Sequence, residues 1–246
     1  MHLEWDLPNP LQDNYHLRGT LRGMRRSMGD TTHPKLPITP PLLRSILAHL
    51  DMSSPLDANV WGVCLLLFYG LLRKASVLPN TGNKNLDMEK ILCRDDVIFH
   101  SWGMMVSIRT TKTIQFKERS LSIPFPRHQN SDLCPVQAVV HAFSNVPQPS
   151  ARSPAFVLPG HPKPSPLTGP MFVNRIRHCL RIANVDSSKF GGHSLRRGGA
   201  SFLYEAGVPT ETIRALGDWR SSAYLKYITI SSNTLFTAIK TMQNHL

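Results

Sequence analysis

The spacing of apolar residues predicts that most of this chain is helical. After Thr39, Pro40 and Pro41 are followed by apolar residues three and four positions apart, as expected for a helix with proline in its first turn. Residues 56–72 are almost wholly apolar, which predicts a helix that is buried on all sides. Further helices are predicted at 135–143, 171–183, 196–206, 210–216 and 221–227.

Between residues 95 and 125 the pattern changes from helical spacing to alternation. Three short strands are predicted at 97–99, 104–109 and 119–123, separated by turns at 101–103 and 113–117. The proline-rich stretch 147–170 is predicted to be a surface loop. The fold class that follows is mainly α with one small antiparallel β-sheet (α+β).

The N-terminal residues differ from the rest of the chain. Residues 17–28 predict a short basic helix, and the four prolines within 33–41 predict an extended linker. A segment of about 30 residues is too short to bury a core of its own. We therefore expect residues 1–35 to be the remnant of a preceding domain, and residues 36–246 to form the main domain.

Charge and cysteine usage restrict the class of protein. The 246 residues include 28 lysines and arginines against 16 aspartates and glutamates, a net charge of +12 that favours a nucleic-acid partner. The four cysteines form no CxxC pair, so reduced thiols are expected and not a zinc site. The longest apolar run is too short to span a bilayer and the N-terminus has no signal-peptide pattern, which favours an intracellular protein.

Candidate chemistry is concentrated in residues 191–227. Two glycines precede His193, and Arg196 follows three residues later on the same face of a predicted helix. The planar guanidinium of arginine matches the oxygens of a phosphate and keeps its charge. A lone His-x-x-Arg is common and carries little weight. Here it is followed by Trp219 and, eight residues later, by Tyr227.

This set, in this order, resembles the tyrosine recombinase (phage integrase) family. The phrases GHSLRRGGA, GVPTETIRALGDW and AYLKYI look most like recombinases of eukaryotic mobile elements of the crypton and DIRS type. The resemblance covers about residues 37–230 and implies a tyrosine recombinase catalytic-domain-like fold. It also implies a nuclear protein that acts on double-stranded DNA as a homo-tetramer, and residues 233–246 have the apolar spacing of the C-terminal helix that family members exchange. Packing of that helix within its own chain is an equal alternative.

The resemblance implies two more catalytic residues upstream. FYGLLRKASVLP supplies Arg73, which follows the apolar helix, and TTKTIQFKERSLSIP supplies Lys112 on a hairpin loop. Lys117 is the competitor of Lys112 and fits less well. Ser76 is a departure, because the family often has an acidic or amide side chain three residues after the first arginine.

The implied reaction breaks a DNA phosphodiester. Arg73, Arg196, His193 and the indole N–H of Trp219 would bind the scissile phosphate. Tyr227 would attack phosphorus to form a 3′-phosphotyrosyl bond, and Lys112 would protonate the leaving 5′-hydroxyl. The spacing selects Tyr227 over Tyr224, and Tyr204 is expected in a core. The covalent bond conserves the energy of the phosphodiester, so no ATP or metal cofactor is implied.

Two other functions remain open at this point. A domesticated or inactive descendant would bind DNA without cutting it, and Ser76 and the short N-terminal segment leave room for that. A helix-turn-helix regulator would have no need for Arg73, Lys112 and Tyr227 together, so it is the weakest alternative.

Overall fold

The computed structural model describes residues 14–28, 35–82, 86–111, 114, 120–129, 131–146, 152–161 and 164–243. The chain divides into two compact units, residues 1–34 and 35–246. The first unit contains helix α1 (Tyr15–Met28), which confirms the predicted basic helix. No helix in the described ranges is long and apolar enough to cross a lipid bilayer.

The described part of the second unit is mostly helical. Its α-helices are α2 (Pro40–Leu47), α3 (Pro55–Tyr69), α4 (Lys74–Val77), α5 (Pro135–Asn145), α6 (Gly169–Ile182), α7 (Ser194–Glu205), α8 (Thr210–Leu216) and α9 (Ser232–Gln243). The predicted helices at these places are confirmed, with ends shifted by a few residues. The helix α3 ends before the predicted residue 72, because Leu71 adopts a left-handed backbone conformation with φ 47°.

A three-stranded antiparallel sheet accompanies the helices, as predicted, and a second pair of very short strands was not predicted. The strands of the three-stranded sheet are β1 (Val97–His100), β2 (Gly103–Ile108) and β3 (Leu121–Pro126), paired in that order. The strand β3 continues past the predicted residue 123 through two prolines. It lies at an edge of the sheet, where a missing backbone N–H is tolerated.

Helix α3 is the centre of the core. Every residue from Asp57 to Phe68 is buried, and the helix packs against α5 on one side and α7 on the other. The contact with α7 depends on glycine: a methyl group at Gly199 would lie 2.0 Å from the Phe68 carbonyl oxygen. The backbones of α3 and α7 therefore touch directly, and this contact holds the start of α7 beside the end of α3.

Two sequence predictions were wrong. The stretch 147–170 is not wholly a surface loop, because Phe156 and Leu167 are buried in the main core beside the short strands β4 (Val157–Leu158) and β5 (Ser165–Pro166). Residues 221–227 do not form an α-helix. A 3₁₀-helix at Ser222–Lys226 takes their place, and its tighter turn leaves Tyr227 just beyond the helix end.

A second, smaller core lies beside the main one. Its buried members are Leu71, Ala200, Ile213 and Trp219. Partly buried tyrosines pack against it, namely Tyr204, Tyr224 and Tyr227, which confirms the predicted core position of Tyr204. This cluster joins the ends of α3 and α8 to α7, and the residues of interest for function surround it.

Candidate active site

An open groove of about 1050 Å³ lies between the start of α4, the end of β2, the start of α7 and the segment after α8. Four of the six predicted site residues line it, namely Arg73, His193, Trp219 and Tyr227. A fifth, Arg196, lies behind this wall. The sixth, Lys112, and its competitor Lys117 are outside the described residues, but Thr111, the residue before Lys112, also lines the groove.

Arg196 is almost completely enclosed, with 2% of its surface exposed. One terminal nitrogen donates to the Leu71 carbonyl, and the other donates to the Gly217 carbonyl at 2.6 Å. Its Nε is buried without a hydrogen-bonding partner among the described residues. Burial, and then the nearby charge of Arg73, lower the pKa of Arg196 to about 9, so the guanidinium remains charged at neutral pH.

The backbone is strained at or next to the two residues whose carbonyls accept from Arg196. Leu71 has φ 47°, and Asp218, the residue after Gly217, has φ 51°. A left-handed conformation costs a residue with a side chain about 1–2 kcal/mol. Such strain persists where the surroundings impose it, often at functional sites. Here it coincides with the two acceptors that hold Arg196.

Trp219 forms the cover over Arg196. Its ring lies 3.8 Å from the guanidinium carbon, and only 7% of the residue is exposed. A methyl group at Gly217 would come within 1.7 Å of the indole, so glycine is required for the ring to fold back in this way. The indole therefore stacks on the cation, a role that adds to the hydrogen bonding predicted for it.

Tyr227 lies beside the stacked Trp219 ring and Arg196 guanidinium. Its ring centroid lies 5.3 Å from that of Trp219, 6.0 Å from that of His193 and 5.4 Å from the Arg196 guanidinium carbon. Tyr224 also approaches Trp219, at 6.2 Å, but it is not part of the groove wall. The position of the two rings favours Tyr227 as the residue that faces a bound molecule.

Two side chains of α7 hold the segment that carries Tyr227. The Ser201 hydroxyl donates to the Tyr227 carbonyl at 3.3 Å and accepts the Thr229 N–H at 2.8 Å. Arg197 donates to the Lys226 carbonyl at 2.6 Å. The sequence analysis missed both residues, although the second arginine of the SLRRGGAS phrase was the available signal.

His193 stands at the start of α7, where it caps the helix and reaches the groove. Partial burial lowers its pKa, and the charges of Arg196, Arg73 and Lys74 lower it further. At neutral pH the ring is therefore a neutral donor and acceptor of hydrogen bonds.

Arg73 and its neighbour Lys74 supply the free cations of the groove. Among the described residues, neither side chain has a hydrogen-bonding or ion-pairing partner, and burial lowers the pKa of Lys74. The Lys74 side chain passes close to two glycines: a methyl group at Gly169 would lie 2.5 Å from its Nζ, and one at Gly192 would lie 3.3 Å from its Cδ, so either would require the lysine to shift. Ser76 is buried in the same wall, where a serine offers Arg73 no negative charge.

One cluster in the described part of the chain has side chains of metal-ligand type, namely Cys93, Asp95 and Asp96. Arg109 pairs with both carboxylates, and burial raises the pKa of the Cys93 thiol to about 11. A protonated thiol beside neutralised carboxylates is a poor ligand set. These groups instead fasten the start of β1 to the end of β2.

No protein-family model matches the chain, and no curated protein does. Among solved structures, it is similar to XerA recombinase, with a TM-score of 0.55 and 14% identity over 98% of this chain and 70% of that one. It is also similar to XerH site-specific recombinase bound to its difH substrate before cleavage. Here the TM-score is 0.55 and the identity is 16%, over 85% of this chain and 55% of that one.

A third similar structure is the Tn1549 transposon integrase in complex with circular intermediate DNA, with a TM-score of 0.55 and 14% identity over 92% of this chain and 76% of that one. The chain thus spans between about half and three quarters of these proteins. The shared fold is the tyrosine recombinase catalytic domain, which confirms the predicted fold class.

Proposed function

We propose that this protein is a site-specific DNA recombinase that cuts and rejoins DNA through a covalent 3′-phosphotyrosyl bond. The observation that carries the proposal is the convergence of Arg73, His193 and Tyr227 on one groove, directly in front of the enclosed Arg196. Tyrosine, histidine and two arginines together provide a nucleophile and the cations that a phosphoryl transfer requires.

In the proposed reaction, a DNA phosphate enters the groove and Arg73 binds its non-bridging oxygens. His193 donates a further hydrogen bond, and the buried charge of Arg196 stabilises negative charge at close range. Tyr227 releases its phenolic proton to water, and its oxygen bonds to phosphorus while the bond from phosphorus to the 5′-oxygen breaks. Lys112 gives its proton to that oxygen, a role supported by the family resemblance and by the place of Thr111 in the groove wall.

The test is a search for a covalent adduct. The chain is incubated with a labelled pool of nicked duplexes whose sequence is random around the nick, and complexes that survive detergent are collected. We expect wild type and Tyr224→Phe to form the adduct and Tyr227→Phe to form none, because only Tyr227 faces the groove. Sequencing the trapped DNA then gives the target site.

The contradicting outcomes are equally clear. An adduct that persists in Tyr227→Phe and disappears in Tyr224→Phe would exchange the roles of the two tyrosines. Binding of the pool without any adduct in wild type would reject catalysis.

A second function, DNA binding without cleavage, is favoured by the state of Arg196. Only 2% of the residue is exposed and the Trp219 ring covers the guanidinium, so a direct contact with phosphate requires this cover to open, although each terminal nitrogen keeps a second N–H. The serine at position 76 also leaves Arg73 without an acidic partner. An inactive descendant of a recombinase would keep this arrangement, and the adduct experiment separates the two functions.

The finer features of the proposal come from the resemblance. A mobile-element origin, a nuclear location and assembly into a tetramer on DNA all belong to it, as does the assignment of residues 1–35 to the remnant of a DNA-gripping domain. Helix α9 is consistent with an exchanged helix, because Leu235, Phe236 and Ile239 are each more than half exposed.

A further inference from the structure

The tripeptide Gly217-Asp218-Trp219 joins two walls of the groove that are far apart in sequence. Gly217 accepts a hydrogen bond from Arg196, and Trp219 covers the same guanidinium. Between them, the Asp218 carboxylate accepts a 2.7 Å hydrogen bond from the Thr111 hydroxyl, just after β2. Asp218 thus connects the Arg196 pocket to the β2–β3 hairpin.

Thr111 is also the base of a short loop. Its N–H donates to the Ile114 carbonyl at 3.1 Å, and the Ile114 N–H donates back to the Thr111 hydroxyl at 3.1 Å. The hydroxyl therefore serves two neighbours, since it donates to Asp218 and accepts from Ile114. These bonds join the residues on either side of Lys112 and Thr113.

The carboxylate occupies a costly position. Asp218 is buried, with 6% of its surface exposed, and it has the left-handed backbone described above. A buried carboxylate needs a partner to offset the loss of water, and Thr111 supplies one. The charge also acts on the site, because it opposes the lowering of the pKa of Arg196. A plain anchor for the end of α8 would need neither the burial nor a partner on the hairpin.

We propose that Asp218 is a positioning residue that holds Thr111, the residue before Lys112, in register with the Arg196 pocket. The inference rests on the proposed function, in which Lys112 protonates the leaving 5′-oxygen. Releasing Thr111 would remove a constraint on the residue next to the proposed general acid. The groove residues Arg73, His193 and Tyr227 belong to other elements and keep their places.

Two pairs of variants isolate the link. Thr111→Val removes the hydroxyl and preserves the shape of the side chain, and its control Thr111→Ser keeps the hydroxyl. Asp218→Gly removes the carboxylate and adopts φ 51° without strain. Its control is Asn184→Gly, which makes the same kind of change at φ 56° outside the groove wall.

The decisive readout compares two duplexes of the recovered target sequence, one with oxygen and one with sulfur as the bridging 5′-atom of the scissile phosphate. A thiolate leaves without being protonated, so the sulfur duplex does not need a general acid. We expect Thr111→Val and Asp218→Gly to cleave the oxygen duplex about 10- to 100-fold more slowly than wild type. Both should cleave the sulfur duplex within about two-fold of wild type, Asn184→Gly should match wild type on the two duplexes, and Thr111→Ser should cleave the oxygen duplex faster than Thr111→Val because it keeps the hydroxyl.

Equal slowing on both duplexes, or no slowing on either, overturns the positioning role. A wild type that cleaves neither duplex rejects the proposed function instead. Hydrogen exchange of the Ile114 amide then tests the Thr111–Asp218 bond by itself. The Ile114 N–H should exchange with solvent faster in Asp218→Gly than in wild type, and at the wild-type rate in Asn184→Gly. Unchanged exchange in Asp218→Gly overturns the link whatever the activity of the chain.

Discussion

Arg196 shows how single residues are combined at this site. Removing an ion from water costs several kcal/mol. Hydrogen bonds to a charged group return about 1.5–3 kcal/mol each, and a desolvated stack on an aromatic ring returns about 2 kcal/mol. The carbonyls of Leu71 and Gly217 and the Trp219 ring supply these contacts, so the charge is retained in a place where water does not weaken its field.

His193 gives a prediction at the same scale. Partial burial, and then the surrounding cations, hold the pKa of His193 below the usual value, and a bound phosphate would oppose the cations and raise that pKa again. DNA binding should therefore take up a proton at His193, and the affinity should increase as the pH falls from about 7.5 to about 6, by less than ten-fold per pH unit.

Binding curves for a labelled duplex across this pH range measure the effect. His193→Asn should have a flatter pH dependence than wild type. The exposed His178, which lies on α6 outside the groove wall, is the matched control, and His178→Asn should keep the slope of wild type. Identical slopes for His193→Asn and wild type would show that the ring does not face the bound phosphate.

At the scale of elements, the close contact between α7 and α3 places the site. Gly199 lets α7 lie on the Phe68 carbonyl, and the same helix carries His193, Arg196, Arg197 and Ser201. Any displacement of α7 would therefore move the residues proposed to bind phosphate together with the side chains that hold the Tyr227 segment.

Gly199→Ala should accordingly destabilise the protein. The added methyl group would lie 2.0 Å from a backbone oxygen that no side-chain rotation can move, and overpacking of this kind costs about 1–3 kcal/mol or more. The midpoint of urea unfolding measures the loss. Gly23→Ala is the control, because nothing lies within 4 Å of that position in α1, and it should be neutral or slightly stabilising. Equal midpoints for Gly199→Ala and wild type would mean that the two helices do not touch as described.

The sequence predicted elements more fully than it predicted the site. The spacing of apolar residues predicted the helices because a helix that packs against α3 needs apolar residues on one face. It did not foresee the burial of Phe156, whose apolar run of four residues (155–158) is flanked by prolines and is too short to show a period. It also took a 3₁₀-helix for an α-helix, because five residues carry no period.

The sequence predicted site residues only where a side chain has one characteristic chemistry, as at Arg73, His193 and Tyr227. The acceptors of Arg196 are backbone carbonyls, which any residue could supply. The bond between Thr111 and Asp218 joins positions 107 residues apart and has no local signal.

On the scale of the whole molecule, part of the excess positive charge is concentrated at the groove. The net charge is +12, and the groove wall contains Arg73, Lys74 and His193 with Arg196 behind it. Attraction of a polyanion is general to the surface, whereas under the proposed function Arg73 and Lys74, which have no partner among the described residues, would contact one phosphate and its neighbours.

Lys74 provides the test of that distinction. Each phosphate contact that is lost reduces the slope of log affinity against log salt concentration by about one. Lys74→Gln should therefore bind duplex DNA more weakly and with a slope reduced by about one, for any sequence of the duplex. Lys189→Gln is the matched control, because Lys189 pairs with Asp186 outside the groove wall and its loss should leave the slope closer to that of wild type. If Lys74→Gln keeps the wild-type slope of log affinity against log salt concentration, the Lys74 ammonium group does not contact the DNA backbone.

The enclosure of Arg196 also bears on when during synthesis the chain becomes able to act. Its two acceptors belong to residues 71 and 217, on either side of it in the sequence, and its cover comes from residue 219. A nascent chain that ends before Gly217 contains the arginine but neither the second acceptor nor the stacking ring. The enclosure of Arg196 is therefore complete only after residue 219 has been made and folded, so a shorter nascent chain has no assembled groove.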